Sequence, residues 1–319
     1  MKNGEQNVKF KESKATGYIC AVLAEVIFGF AYIFTKDVTE TVTPYTLLCW
    51  RFVIAYIVFQ LLRMAGVIKI NFTGKNFKKL FLICLLSPVI YFLGENIGIN
   101  LTTASESSIV IAIVPVTTII ASVIMLKKKV IKLEIFGIIV TFVGVILCAA
   151  CKGLEMSFDI VGYLMLVMAI IAFSIYSVIV EKGIEFTTAE LTYAMALVGA
   201  VIFTIIAVIT HAGDGIVENL ILVPFRNSEF LAAILYEGIG CSVIAFFLMN
   251  FSISKIGAST NAVFAGVSTF VSIVASVLIL KEDFRLMQII GTVLLLAGVY
   301  IATALPLWLE SRKNKLKKT

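Results

Sequence analysis

The chain is 319 residues long, 60% hydrophobic and only 14% charged, with a mean hydropathy of +1.05. These proportions exclude an ordinary soluble domain and a disordered chain alike. The formal net charge of +6 follows the pattern of a membrane-orientation signal, as its distribution shows, and gives no support to nucleic-acid binding.

A bilayer core takes roughly 20 apolar residues per helix, and ten such stretches follow one another along the chain. In the first half they lie near 16–36, 44–64, 79–99, 104–126 and 132–151. The second half gives 158–180, 190–210, 230–250, 256–280 and 284–307. The expected fold is therefore an all-α integral membrane protein with ten transmembrane helices, five in each half. The halves span 16–151 and 158–307, between a polar tail at 1–15 and a basic tail at 308–319. Most connections are short, the longest near 65–78 and 211–229, and none has room for a soluble domain. The segment before Thr16 carries Lys2, Lys9, Lys11 and Lys14. It lacks the short apolar region and small-residue cleavage site of a signal peptide, so the first span is expected to stay in the protein.

With both termini placed inside, twenty of the 26 basic residues fall on the inner side, in the two tails and the loops after the second, fourth, sixth and eighth spans. Five, namely Lys36, Lys152, Arg226, Lys281 and Arg285, fall outside, and Arg51 lies within a span. Basic residues concentrate in cytoplasmic loops, so both termini are expected in the cytoplasm.

Residues 96–150 and 250–304 read as two drifted copies of one piece. A shift of 154 with no gap superposes Asn96 on Asn250, Ala104-Ser105 on Ala258-Ser259, and Ala121-Ser122-Val123 on Ala275-Ser276-Val277. It also superposes Leu126-Lys127 on Leu280-Lys281, Gly137 on Gly291 and Gly144-Val145 on Gly298-Val299. With five spans per half, the copies enter the bilayer from opposite sides. Inverted repeats of this kind are how many secondary transporters build two-faced access to a central site.

The paired glycines are seven apart in each copy, so each pair lies on one helical face where small residues let backbones approach. Packing within one chain is the plainer expectation; a dimer seam is the alternative. Pro88 and Pro115 lie inside spans and are expected to kink or loosen them. The six cysteines show no disulfide or metal spacing and read as small packing residues. The single histidine, His211, reads as a solvated residue opening a loop.

A charge at mid-membrane costs about 2.5–3.5 kcal/mol on the insertion scale, so it faces a cavity or a partner. Glu25 is mid-span, and Glu25, Gly29, Tyr32 and Lys36 form one stripe along the first helix. That stripe is a candidate lining for a substrate path, with Glu25 binding a cationic group or a coupling proton; a structural carboxylic acid is the alternative. Tyr91, Glu95 and Asn96 stand in the outer half of the third span, and Tyr236 and Glu237 in the eighth. Arg51 is the obvious partner for one of these acids, and an Arg51–Glu95 pair is expected either to gate the outer side or to pin two helices. Asn261, with Tyr163, Ser174, Tyr176, Ser177, Asn250 and Ser259, adds modest polarity to the later spans. Glu106, near a span end, ranks below these.

Phe28-Gly29-Phe30-Ala31-Tyr32-Ile33-Phe34-Thr35-Lys36, then Pro44 with Arg51-Phe52 and Ala55, then Asn96 through Leu101 with Thr103-Ala104-Ser105 and Pro115, and finally Glu282 with Gly291 and Gly298, follow in order. Together they resemble the drug/metabolite transporter superfamily, EamA-like branch, over essentially the full length. The chain departs from the family pattern at Lys127-Lys128-Lys129, where an acid is frequent, and at Thr269, which stands where Pro115 would repeat. The resemblance implies a bacterial cell-membrane carrier with helices 1–4 and 6–9 around the cavity and helices 5 and 10 bracing the halves. It makes Arg51 a fold marker and favours efflux.

The expected function is secondary-active transport of a small organic metabolite, such as an amino acid, by alternating access, with proton coupling as a candidate driving force. No cofactor or metal is expected, and no enzyme motif is present: one histidine gives no metal pair, and there is no Walker sequence. A receptor or structural subunit that binds without moving its ligand is the alternative from another class, and an uptake permease of the same fold is the alternative within transport. The chain is expected as a monomer or homodimer whose other partners are the lipid bilayer and its small-molecule substrate.

Overall fold

The structure is a computed structural model, and it describes residues 2–36, 38, 42–102, 107, 110–111, 113–150, 159–213, 217–279 and 286–316. The described residues form helices and their connections, with no strand among them. In chain order these are α1 (Lys2–Lys36), α2 (Pro44–Met64), α3 (Phe77–Leu101), α4 (Val114–Leu126), α5 (Lys132–Ala150) and α6 (Ile160–Glu181). Then come α7 (Thr188–Gly213), α8 (Val217–Arg226), α9 (Ser228–Ile256), α10 (Ala258–Val263), α11 (Ala265–Ile279) and α12 (Leu286–Leu316).

Helix starts are written in short polar side chains that accept the free N–H groups of a first turn. Thr43 precedes α2, with Pro44 at the position where a missing N–H costs nothing. Asn76 accepts from Lys78 and Lys79 at the start of α3. Asp159 accepts from Gly162 at 2.8 Å before α6, and Asn227 from Phe230 at 2.9 Å before α9. Thr187 and Glu190 form a reciprocal capping box at α7: the Thr187 N–H donates to Glu190 Oε2, and the Glu190 N–H to Thr187 Oγ1. Helix α9 stops at Gly257, whose φ of +88° suits a residue without Cβ.

Six stretches among the described residues are long and apolar enough to cross a bilayer: Lys14–Ala31, Pro44–Met64, Phe77–Leu101, Ile160–Glu181, Thr188–Ala212 and Ser228–Ile256. Val114–Leu126 and Ile289–Ala302 are shorter apolar helices. Large apolar side chains such as Leu23, Phe81, Ile139, Leu164 and Ile209 point outward, the arrangement suited to a lipid solvent rather than water.

Lipid removes the hydrophobic drive for helix association, so close van der Waals contact must supply it. The longest such contact joins α5 to α12. A Cβ on Gly137 would lie 2.7 Å from the Gly298 carbonyl, and one on Gly144 2.6 Å from the Gly291 carbonyl. The glycine faces are thus used within one chain. Helix α2 packs along α7; α1 packs on α9 and α11; α6 packs on α3 and α4. The scheme is reciprocal between the halves, since α6 meets α3 and α4 as α1 meets α9 and α11.

Two helices depart from regular α winding midway. Residues Tyr236–Ala245 of α9 wind as a π-helix, and α3 is kinked within Leu85–Ile90. The 154-residue shift carries the α3 stretch into the α9 stretch. Pro88 lies in the kinked stretch of α3, with Ser87 outside helical geometry at φ −143° and ψ 120°, so the expected local break at this proline is present. Pro115 occupies the first turn of α4, where proline is well tolerated; residues 110–111 before it are helical and Ile113 is a turn, so the fourth span is loosened beside this proline as expected. The connection near 211–229 differs from expectation, because it contains α8, with Trp50 Nε1 donating to the Leu220 carbonyl at 2.8 Å. His211 belongs to α7, not to a solvated loop: its Nδ1 lies 2.9 Å from the Ala207 carbonyl and its Nε2 3.4 Å from Thr46 Oγ1. The polar ends continue neighbouring helices, α1 beginning at Lys2 and α12 running to Leu316.

Candidate substrate site

Arg51 projects from α2 into the bundle and is 9% exposed. Its Nη1 donates to Glu237 Oε2 at 3.3 Å, and its Nε donates to Ser242 Oγ at 2.8 Å. The guanidinium also sits over the Phe92 ring, 4.6 Å from the centroid, a position favoured by the ring quadrupole. The planar fork of an arginine serves all three contacts together; a lysine could not.

The winding of α9 makes this possible. Five residues of α-helix advance about 500°, which would leave Glu237 and Ser242 on different faces. In a π-helix, bonded i to i+5, they come to one face, and both reach Arg51. Gly238 lets α9 approach closely, since a Cβ there would lie 3.0 Å from the Arg51 carbonyl.

On α3, the Tyr91 hydroxyl donates to Glu95 Oε1 at 2.7 Å. Glu95 lies within electrostatic reach of both Arg51 and Glu237. Tyr91 lies within reach of Arg51 and of Glu25, which is 8% exposed on α1 and meets the Ser268 hydroxyl of α11. Three carboxyl groups and one guanidinium, from α1, α2, α3 and α9, therefore share one centre. Phe92 and Phe246 are 6.0 Å apart, and Phe28 meets Phe246 edge-on at 5.7 Å, giving that centre an aromatic wall.

Five of the residues singled out by sequence, Glu25, Arg51, Tyr91, Glu95 and Glu237, are thus brought together. The expected Arg51–Glu95 ion pair is not formed: Arg51 takes Glu237, and Glu95 takes Tyr91. Tyr236 lies beside the centre, its hydroxyl donating to the Ile27 carbonyl at 2.8 Å and its ring stacked on Phe34 at 4.4 Å. Asn96 turns back on its own helix, donating to the Phe92 carbonyl at 2.8 Å. Asn261 is buried in α10, which packs against α4 and α6. The side chains of Tyr32, Lys36, Glu106, Cys148 and Cys151 lie outside the described residues.

A second polar layer had no distinct signal in the sequence. Tyr176 of α6 donates to Asn250 Oδ1 of α9, and Asn250 Nδ2 donates to Thr192 Oγ1 of α7 at 3.2 Å. All three are at most 1% exposed. The residues are visible as scattered polarity, but nothing in their spacing pairs them. Ser242 and Ser268 were missed for the same reason.

Four helices thus converge on buried charge in a multi-pass bundle, and the comparisons with known proteins assign that bundle to membrane transport. The model of the EamA-like transporter family matches residues 15–150 and again 160–304, and the chain belongs to that family. It is 29% identical over 291 residues to the "Uncharacterized transporter YcxC" of Bacillus subtilis (strain 168), covering 91% of this chain and 93% of that protein. An "Uncharacterized transporter" of Archaeoglobus fulgidus is 24% identical over 295 residues, covering 89% and 97%. A solved crystal structure shares the fold with a TM-score of 0.71 at 16% identity, over 92% of this chain and 98% of that one. The protein is a transporter and not an enzyme.

Proposed function

We propose that this transporter is a secondary-active carrier of ten transmembrane helices in two inverted five-helix repeats. It exports a small organic metabolite, such as an amino acid, by alternating access across a bacterial cytoplasmic membrane, with both termini in the cytoplasm. Glu25, Tyr91, Glu95 and Glu237 contact substrate or the coupling proton, and Arg51 holds Glu237 in place.

The observation that carries this reading is the charged centre itself, built by α1, α2 and α3 from one half and α9 from the other. Buried ionisable groups in a membrane are costly and mark substrate or proton paths. A site shared between halves is coupled to their relative motion. The reciprocal glycine contacts support the repeat reading: Gly137 meets Gly298 while Gly144 meets Gly291, the pattern of two related surfaces facing across a twofold axis.

The test begins with a thermal-shift screen of the purified protein against amino acids, nucleosides, polyamines and cationic drugs. A compound that binds only the folded state raises the melting temperature. Hits are then followed for flux in reconstituted vesicles. Saturable flux driven by a gradient is the expected result. Binding without flux in either direction would turn the reading toward a receptor.

A further inference from the structure

One end of the bundle is tied together by contacts that mostly run between the two halves of the chain. The connection between α2 and α3 lies against the connection between α6 and α7. Lys75 Nζ donates to Glu190 Oε2 at 2.5 Å, and the Asn71 N–H to Glu190 Oε1 at 3.0 Å. The Asn76 N–H donates to Glu185 Oε2 at 3.1 Å, and Lys79 Nζ to the Gly183 carbonyl at 2.9 Å. Beside them Lys128, just past α4, donates to Glu181 Oε1 at the end of α6, while Glu181 Oε2 accepts from the Ala258 N–H at 3.1 Å.

The acids of the two ion pairs are well shielded, with side-chain exposures of 3% for Glu190 and 14% for Glu181. Their lysines differ, Lys75 being 21% exposed and Lys128 41%, so salt screens the first pair less than the second. Gly257 is shaped to the second pair, for a Cβ there would lie 3.1 Å from Lys128 Nζ.

The charged centre is far from this end. Glu237 stands nineteen residues before Ile256 on α9, at most about 28 Å at the α-helical rise of 1.5 Å per residue. Between them lie the Tyr176–Asn250–Thr192 layer and buried side chains including Cys84 and Ile253.

We propose that Lys75–Glu190 and Lys128–Glu181 are paired latches that close the lysine-rich end of the carrier, and that the structure is the state shut on that side. Their joint release opens the path from that end to the charged centre. The inference rests on the carrier reading, and it names the cytoplasm as the closed side only through the distribution of lysines.

The two lysines are the residues to change. Glu190 also caps α7 and Glu181 also holds the Ala258 N–H, so altering the acids would confuse a latch with a cap. In a variant keeping Cys84 as its sole cysteine, Cys84 is 0% exposed and sits on α3 between the latches and the centre. Its reaction with a membrane-impermeant maleimide is followed in vesicles with the lysine-rich face outward. K75A with K128A should raise the labelling rate about tenfold or more by enlarging the open population, with each single change giving less. K75R with K128R should stay near the parent rate.

Unchanged labelling in the double alanine variant, with insertion and melting temperature retained, overturns the proposal. Equal acceleration in the arginine pair overturns it too, because charge would not be the cause. Should the double alanine variant fail to insert, the single variants decide by the same criterion. The readout needs no substrate, so faster labelling without flux would keep the latches and sink the carrier reading instead.

Discussion

Gly137 of α5 and Gly298 of α12 meet so closely that a Cβ on Gly298 would lie 2.6 Å from the Gly137 carbonyl. The neighbour is backbone and cannot swing away. Gly298→Val should therefore separate α5 from α12 and destabilise the protein by roughly 1–3 kcal/mol, the usual scale of overpacking. Thermal unfolding in detergent measures this, and an unchanged melting temperature would show that the seam is looser than described.

Arg51 and Glu237 are a buried pair, so removing one partner strands the other. Arg51→Ala should cost roughly 3–5 kcal/mol. Adding Glu237→Gln to that variant should recover part of the loss, because the stranded carboxylate is gone. If the double variant instead loses the sum of what Arg51→Ala and Glu237→Gln lose singly, the two residues act independently, and their contact contributes little.

Tyr176→Phe removes the donor to Asn250 Oδ1 in a layer closed to water. A loss of about 1–3 kcal/mol is expected for the acceptor left alone. Tyr176→Phe combined with Asn250→Leu should be milder than the sum of the two single changes, since both ends of the bond disappear together. A strictly additive result would remove the case for coupling.

Glu25 is the candidate coupling carboxyl. Glu25→Gln keeps size and hydrogen bonding but cannot give up a proton, so insertion and melting temperature should hold while the pH dependence of flux flattens. Identical pH profiles for the parent and the variant would reduce Glu25 to a packing residue against Ser268.

Apolar stretches at the right length were legible because lipid demands them. The charged residues inside them stood out because each is expensive there. Four of those residues, Glu25, Arg51, Glu95 and Glu237, do share one centre, with Tyr91 beside them. Their pairing was not legible: Arg51 stands one helix away from Glu95 in sequence order, yet its partner is Glu237, 186 positions along the chain. Choosing between the two acids required the rotation of α9, which depends on a change to π winding that no residue pattern announces.

What the sequence determined by itself is the solvent of this protein and the identity of its costly residues, since both follow from composition and local spacing alone. It also carried the likeness between residues 96–150 and 250–304, because equivalent positions under one shift retain the same small residues. The tertiary structure alone decided who meets whom: Arg51 with Glu237 and Ser242, Tyr176 with Asn250, and Lys75 with Glu190. The reason is physical. Helix rotation and depth are fixed by close backbone approach at residues such as Gly137 and Gly238, and by a local change of helical pitch. Both are properties of the assembled bundle, and neither is present in any one helix.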